Sequence, residues 1–326
     1  MTDDKASVPR PLSDLNWRKL LGPAMAAMLF LLAVRLLVAN FDRDAFLDGL
    51  RAVPLQYVLV AVFLVALNYG LLACYDLLAL RYVARALPLR RVVLVSFLGY
   101  SLGNNLGTLL AAAPIRYRFY HRWGLTHRQI VALMSVLGLT FWSGVCLLGG
   151  GVLVITPIDL PPQVGLPFGT RTLGIILLSV AAFYGLVCFV WHRPLVIRGV
   201  AMRPPTLGLA AAQASIAAVD LTISATALYL VLPAYVEVPF SNVLAAYLVG
   251  ITVSLISQVP GGAGVLELIL IYLIAGNREE LFASVLIFRG IYYVLPLIIG
   301  MITLVAHEII SGAAEARADE RLEKKQ

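Results

Sequence analysis

The chain has 326 residues, 60% of them hydrophobic and only 13% charged, with a formal net charge of +7. Soluble domains carry about 25% charged residues, so this balance excludes an ordinary soluble protein. The basic residues lie between apolar runs, where they set topology and meet lipid headgroups, and they are no nucleic-acid footprint.

Apolar segments fall at about 20–39, 54–80, 92–113, 130–156, 172–191, 207–233, 240–258, 260–275 and 281–306. Most approach the roughly 20 residues that a helix needs to cross a bilayer. The polar stretch 1–20 ahead of them is too polar for a cleaved signal. Segments 1–20, 81–91, 116–128, 192–203 and 307–326 carry 4, 4, 4, 3 and 4 basic residues; 40–53, 157–171, 233–242 and 276–280 carry 2, 1, 0 and 1. The positive-inside rule places the first set, and with it both termini, in the cytoplasm.

One apolar segment then separates two cytoplasmic stretches, RYVARALPLRR at 81–91 and RYRFYHRWGLTHR at 116–128. A single crossing cannot do this, but a re-entrant hairpin can. GNNLG at 103–107 breaks that segment at its middle, and irregular backbone at such depth must be buried in protein or line a cavity. The second half repeats the pattern upside down: 240–258 runs in, VPGGAGVLE turns, and LILIYLIAG runs out again. The halves also match in order. Asp76 falls on Asp220, Pro88 on Pro239, Gly99 on Gly250, Pro114 on Pro260, Arg128 on Arg278 and Gly150 on Gly300.

The expected fold is therefore an all-α polytopic membrane protein. It has inverted structural repeats, two re-entrant helical hairpins and about seven full transmembrane helices. The membrane domain spans 20–306, with repeat one at about 54–156, a linker helix at 172–191 and inverted repeat two at about 207–306. Residues 1–20 and 307–326 flank it as cytoplasmic segments. Broken helices meeting between inverted repeats are the signature of secondary transporters.

Five ionisable residues interrupt the apolar segments: Arg35, Asp76, Asp220, Glu267 and Arg289. A charge at a bilayer centre costs roughly 2.5–3.5 kcal/mol on insertion scales, so such residues face a bundle interior or a polar path. Asp76 lies near the cytoplasmic end of its segment and has Arg81 and Arg85 within pairing range. Asp220 lies mid-segment and needs a buried partner, for which Arg289 is the evident countercharge, or a proton. Arg35 belongs to the unrepeated first segment and reads as interfacial.

In GNNLGTLLAAAPIRYRFYHRWGL the glycines allow a turn, and Asn104 and Asn105 can satisfy freed backbone groups or bond a headgroup. Arg116 and Arg118 offer planar forks suited to a phosphate; the plainer reading is that they snorkel at the interface. In VPGGAGVLE, Gly261 and Gly262 precede a helix whose early turns hold Glu267. The turn can expose N–H groups to an anion, or Glu267 can simply cap the helix. Cys74, Cys146 and Cys188 lie within apolar runs and read as buried hydrophobes, and the four histidines have no ligand-like spacing. Tyr292, Tyr293, Trp123 and Trp191 fit interfacial belts or packing. No metal, nucleotide or nucleophile motif is present, so neither cofactor nor enzymatic activity is expected.

At GNNLGTLLAAAPIRYRFYHRWGL, VPGGAGVLE and RGIYYVLPLIIG the chain resembles the membrane domain of lysylphosphatidylglycerol synthase, the flippase-like half of the multiple peptide resistance factor, over roughly 20–306. The resemblance implies movement of an aminoacylated or other anionic-derived phospholipid between leaflets of the bacterial cytoplasmic membrane. It also implies that membrane carboxylates and an arginine, falling on Asp76, Arg116 and Asp220, serve that step. AAAP at 111–114 departs from the paired glycines of relatives, so the turn is expected to differ. Residues 307–326 are too few for the soluble aminoacyl-transferase domain, so synthesis of lysylphosphatidylglycerol is not expected.

The leading expectation is a phospholipid flippase. The alternative is a membrane partner or regulator presenting lipid to a separately encoded lipid-modifying enzyme, in which the intramembrane charges pair among themselves and leave no groove open to lipid. Partners expected are membrane phospholipid and, in the second reading, that enzyme; a homodimer is left open.

Overall fold

The computed structural model describes residues 43–158, 169–191, 193, 195–197, 200–233, 237–257 and 259–323. Arg35, the first apolar segment and the 1–20 segment lie outside the described residues. The helices are α1 Arg43–Ala52, α2 Leu55–Tyr82, α3 Leu89–Leu106, α4 Ala113–Arg122, α5 His127–Gly144, α6 Gly150–Ile155, α7 Thr170–Val190, α8 Leu207–Leu230, α9 Phe240–Ser257, α10 Val265–Leu273, α11 Arg278–Arg289 and α12 Leu295–Glu323. Wide helical turns at Thr108–Ala112, Val145–Gly149 and Gly290–Val294 join α3 to α4, α5 to α6 and α11 to α12. The all-α expectation needs one small amendment. Within the basic stretch 192–203, β1 Leu195–Ile197 pairs antiparallel with β2 Val200–Met202.

Among the described residues, six helical stretches are long and apolar enough to cross a membrane: Leu55–Tyr82, His127–Ile155, Thr170–Val190, Leu207–Leu230, Phe240–Ser257 and Arg278–Ile310. The chain is a polytopic helical membrane protein. Phe240–Ser257, expected as a limb of the second hairpin, has by itself the length and composition of a span.

The periodicity of α2 shows how these helices sort their faces. Ala61, Val65, Asn68, Leu72, Asp76 and Ala79 recur every three or four residues and are buried, while Leu55, Leu59, Phe63 and Leu67 are exposed. A helix repeat of 3.6 residues puts the first set on one stripe. The second set is apolar because its solvent is lipid. Between helices in lipid there is little hydrophobic drive, so close contact depends on small residues and polar bonds. The fold follows this rule. Buried Ala210, Ala217, Ser224, Ala225 and Ala227 let α8 sit against both α2 and α5, and Gly144 of α5 lies directly against Ala217. The peripheral α7 buries only Thr170, Gly174 and Cys188, with Gly174 seated on Gly150 and Leu153.

Both glycine-rich stretches reverse the chain. α3 stops at Gly107, whose φ of 93° only glycine adopts readily. The returning limb lies against α3, where a Cβ on Gly103 would be 2.7 Å from the Ala112 Cβ. At AAAP the chain is helical throughout, so the reversal belongs to Gly107 rather than to residues 111–114. α9 and α10 pair likewise, with Gly250 against Leu266 and Gly262 against Ser254. The two tips meet: a Cβ on Gly261 would lie 3.2 Å from the Asn105 carbonyl oxygen and 3.5 Å from that of Asn104.

This contact gives a stability test. Gly262 has φ of 58°, and a Cβ there would lie 2.6 Å from that of Ser254. Left-handed backbone costs a non-glycine residue roughly 1–2 kcal/mol, and the overlap adds to it. Gly262→Ala is expected to lower the unfolding midpoint of the detergent-solubilised protein. Gly138→Ala, in open space on α5, should leave it unchanged or raise it, alanine being the better helix former. Equal midpoints for wild type and Gly262→Ala would mean that the tip yields easily.

Candidate functional site

Three buried polar clusters run through the middle of the bundle. In the first, Arg116 of α4 grips Asp76 of α2 with both edges of its fork, Nε to Oδ1 at 3.1 Å and Nη2 to Oδ2 at 3.0 Å. Tyr120, one turn on, donates to Asp76 Oδ1 at 2.7 Å. The guanidinium lies 4.4 Å over the Tyr100 ring and against Gly99, where a Cβ would be 2.8 Å from Nη1. Asp76 is 0% exposed and Arg116 4%. The expected partners of Asp76, Arg81 and Arg85, are not the ones used. Arg116 is not an open fork at the interface, because its charge is already matched inside the protein.

The second cluster surrounds Asp220 of α8. Asn68 Nδ2 donates to Oδ1 at 2.6 Å and the Tyr75 hydroxyl donates to Oδ2 at 2.7 Å. The Tyr292 hydroxyl donates to Asn68 Oδ1 and lies 3.2 Å from the Ser224 hydroxyl. The expected Asp220–Arg289 pair does not form. All of these partners of Asp220 are neutral.

Arg289 belongs to the third cluster, at the tip of the second hairpin. Its Nη2 donates to Glu267 Oε2 at 2.9 Å, and Nε lies against Oε1. Nη1 and Nη2 also donate to the carbonyls of Gly261 and Gly262, at 2.7 and 2.9 Å. The Gly264 N–H donates to Glu267 Oε2 at 2.8 Å. Glu267 therefore caps its own helix and is matched by a cation, so the turn's positive end is taken by a side chain of the protein. Asn105 bridges from the first tip, donating from Nδ2 to the Ser101 carbonyl at 2.8 Å and the Tyr293 carbonyl at 3.0 Å. It bonds backbone carbonyls, one of the two roles that its sequence position left open.

Tyrosines connect the clusters. Tyr100, under Arg116, meets Tyr75 edge-on at 6.1 Å. Tyr292 stands 5.2 Å from Tyr293, over which Arg289 lies. Arg118 stands apart. It is 60% exposed and pairs with Glu308 of α12 at 2.8 Å, a surface contact worth little.

Sequence reading missed Asn68, Tyr75, Tyr100, Tyr120 and Ser224, and it assigned Tyr292 and Tyr293 to interfacial belts or packing. A signal existed: Asn68, Tyr75 and Asp76 fall at i, i+7 and i+8 on one stripe of an otherwise apolar helix. Among the described residues no group of three or more histidine, cysteine or acidic residues could hold a metal. Cys74, Cys146 and Cys188 are free thiols.

The family described as lysylphosphatidylglycerol synthase TM region matches residues 20–300. The chain belongs to this family. Inner membrane protein YbhN of Escherichia coli is 33% identical over 312 residues, covering 93% of this chain and 96% of that protein. The uncharacterized protein slr0712 of Synechocystis is 28% identical over 307 residues, covering 92% and 95%. Of the three positions that the resemblance singled out in this family, the structure joins Asp76 to Arg116 and sets Asp220 in a separate cluster.

Proposed function

We propose that the chain moves phospholipid with an anionic or aminoacylated headgroup between the leaflets of the bacterial cytoplasmic membrane. The observation that carries this reading is the line of polar clusters from Arg116 through Asp220 to Arg289, crossing a bundle that faces lipid on its outside. Ionisable groups at such depth are expensive and usually serve a transport path. A purely structural bundle could pack small residues there instead.

In this reading the basic-rich ends are cytoplasmic, the α3–α4 hairpin enters from that side and the α9–α10 hairpin enters from the other. The repeat reading is supported by Gly99 and Gly250, matched positions of the two halves. Each makes room for the returning limb of its own hairpin, Gly99 for Arg116 and Gly250 for Leu266. Asp220, whose hydrogen-bond partners are all neutral, is our choice of proton carrier; Glu267 is matched by Arg289 and is the poorer candidate.

The alternative, a non-transporting partner of a lipid-modifying enzyme, draws support from one observation. The membrane carboxylates find partners inside the protein, as that reading requires. One measurement separates them, and a second tests the topology. Proteoliposomes containing the purified chain should move headgroup-labelled phosphatidylglycerol between leaflets faster than empty liposomes; equal rates would remove the transport reading. Single cysteines near 86 and near 122 should label from the same side of the membrane; labelling from opposite sides would remove the re-entrant hairpin.

A further inference from the structure

The wide turn Gly290–Val294 stands at a seam between the two hairpins. Before it, Arg289 at the end of α11 is bound to the second hairpin through Gly261, Gly262 and Glu267. After it, α12 runs along α3 of the first hairpin, with Gly300 seated directly on Ser101. α11 and α12 are thus fastened to different hairpins, and the turn is the joint between them.

The sequence explains why the joint is there. Pro296 has no N–H, so the Tyr292 carbonyl four residues back loses its helical donor. The Leu295 N–H reaches back five residues to the Gly290 carbonyl rather than four to Ile291, which widens the turn. Side chains from elsewhere bind the carbonyls of this turn. The Tyr69 hydroxyl of α2 donates to the Tyr292 carbonyl at 3.2 Å. Asn105 Nδ2, at the tip of the first hairpin, donates to the Tyr293 carbonyl at 3.0 Å. Tyr292 in turn carries its hydroxyl to Asn68 and Ser224, beside Asp220. A Cβ on Gly290 would meet no neighbouring atom within 4 Å, so no other helix blocks that side of the joint.

We propose that Gly290–Pro296 is a hinge on which the two hairpins part, and that Asn105 is a positioning residue that latches it in the closed arrangement of this structure. Helices bend at proline and at wide turns, where the ladder of backbone bonds is already interrupted. As the first hairpin withdraws, Asn105 leaves the Tyr293 carbonyl, and its own carbonyl leaves Gly261. α11 then swings on the turn and takes the Tyr292 hydroxyl away from Asn68. Movement of a hairpin tip is thereby passed to the surroundings of Asp220. That this movement serves lipid transport rests on the function proposed above; the hinge itself does not.

Hydrogen exchange of the full chain in nanodiscs of phosphatidylcholine and phosphatidylglycerol tests the hinge. Asn105→Leu keeps the bulk of the side chain and removes its donor. Exchange in the segment 291–298 is expected to quicken about tenfold, the loss of roughly one hydrogen bond, while 279–288 of α11 stays unchanged. Tyr69→Phe, which removes the other donor, should act in the same direction and keeps the test open if Asn105→Leu does not fold. Unchanged exchange in Asn105→Leu, or equal quickening along the whole of α11 and α12, would overturn the latch. Pro296→Ala restores the missing N–H. It should slow exchange in the turn and keep or raise the unfolding midpoint, yet slow lipid movement in proteoliposomes about fivefold, as hinge substitutions do. A merely structural proline predicts the gain in stability with no change in lipid movement, and that result would overturn the hinge. If the exchange results hold but the wild-type chain moves no more lipid than empty liposomes, the hinge stands and the transport reading falls.

Discussion

Asp76→Asn and Arg116→Met are each expected to destabilise the protein by about 3–5 kcal/mol, the penalty for stranding one member of a buried ion pair. Both residues are almost wholly buried, and their contact is two-pronged with Tyr120 as a third support. Removing Asp76 leaves the guanidinium between Tyr100 and Gly99 with no countercharge. Removing Arg116 leaves a carboxylate with one hydroxyl donor. The joint variant Asp76→Leu/Arg116→Met strands neither, and should recover a large part of the loss, because apolar replacement of a whole buried pair is often neutral or better. Arg116→Lys should fall between, since an ammonium is a point charge and cannot span both carboxylate oxygens. Unfolding of the solubilised variants by heat measures all four. If Arg116→Lys unfolds with wild type and changes only lipid binding, Arg116 is a lipid ligand and the pair with Asp76 is incidental.

Asp220→Asn is expected to bring lipid movement in proteoliposomes down to the rate of empty liposomes while the protein still expresses and folds. The amide keeps the shape of the side chain and can accept from Tyr75, so the loss of stability should be near the ~1 kcal/mol of one altered hydrogen bond. What it removes is the capacity to gain and lose a proton at the centre of the bundle. Wild-type transport by this variant would make Asp220 structural. Glu267→Gln should behave differently. It leaves Arg289 without its carboxylate and weakens the tip it holds, so stability and transport should fall together.

The two cases show what the sequence could and could not reveal. Helix positions were legible because apolar runs of membrane length, and the glycines and asparagines that break them, are local signals. Burial was legible too, since Asp220 and Glu267 stand in apolar runs and both are buried. Partner choice was not. Asp76 was set against Arg81 and Arg85 because they are near in sequence, yet it pairs with Arg116, brought over by the reversal at Gly107. Asp220 was set against Arg289 because both are central. The close turn of α10, however, puts Glu267 and two carbonyls nearer to that guanidinium. Neutral partners were harder still: a lone Asn68 or Tyr75 carries no charge to mark it, and its significance emerges only when α8 lies alongside.

The bond from Asn105 to the Tyr293 carbonyl, and that from Tyr69 to the Tyr292 carbonyl, bear on the order in which a nascent chain can be completed. The Asp76–Arg116 tie joins residues made early and close together, so it can shut while the C-terminal half is still on the ribosome. Asn68 and Tyr75 must wait for residue 220. Asn105 and Tyr69 must wait for the residues around 292, which follow them by 188 and 223 positions in the chain. Chains grow at about 5–20 residues per second, so the first hairpin is seconds old before its tip meets these last partners. During that interval the insertion machinery, or water, has to serve an amide and a phenol whose partners have not yet been made.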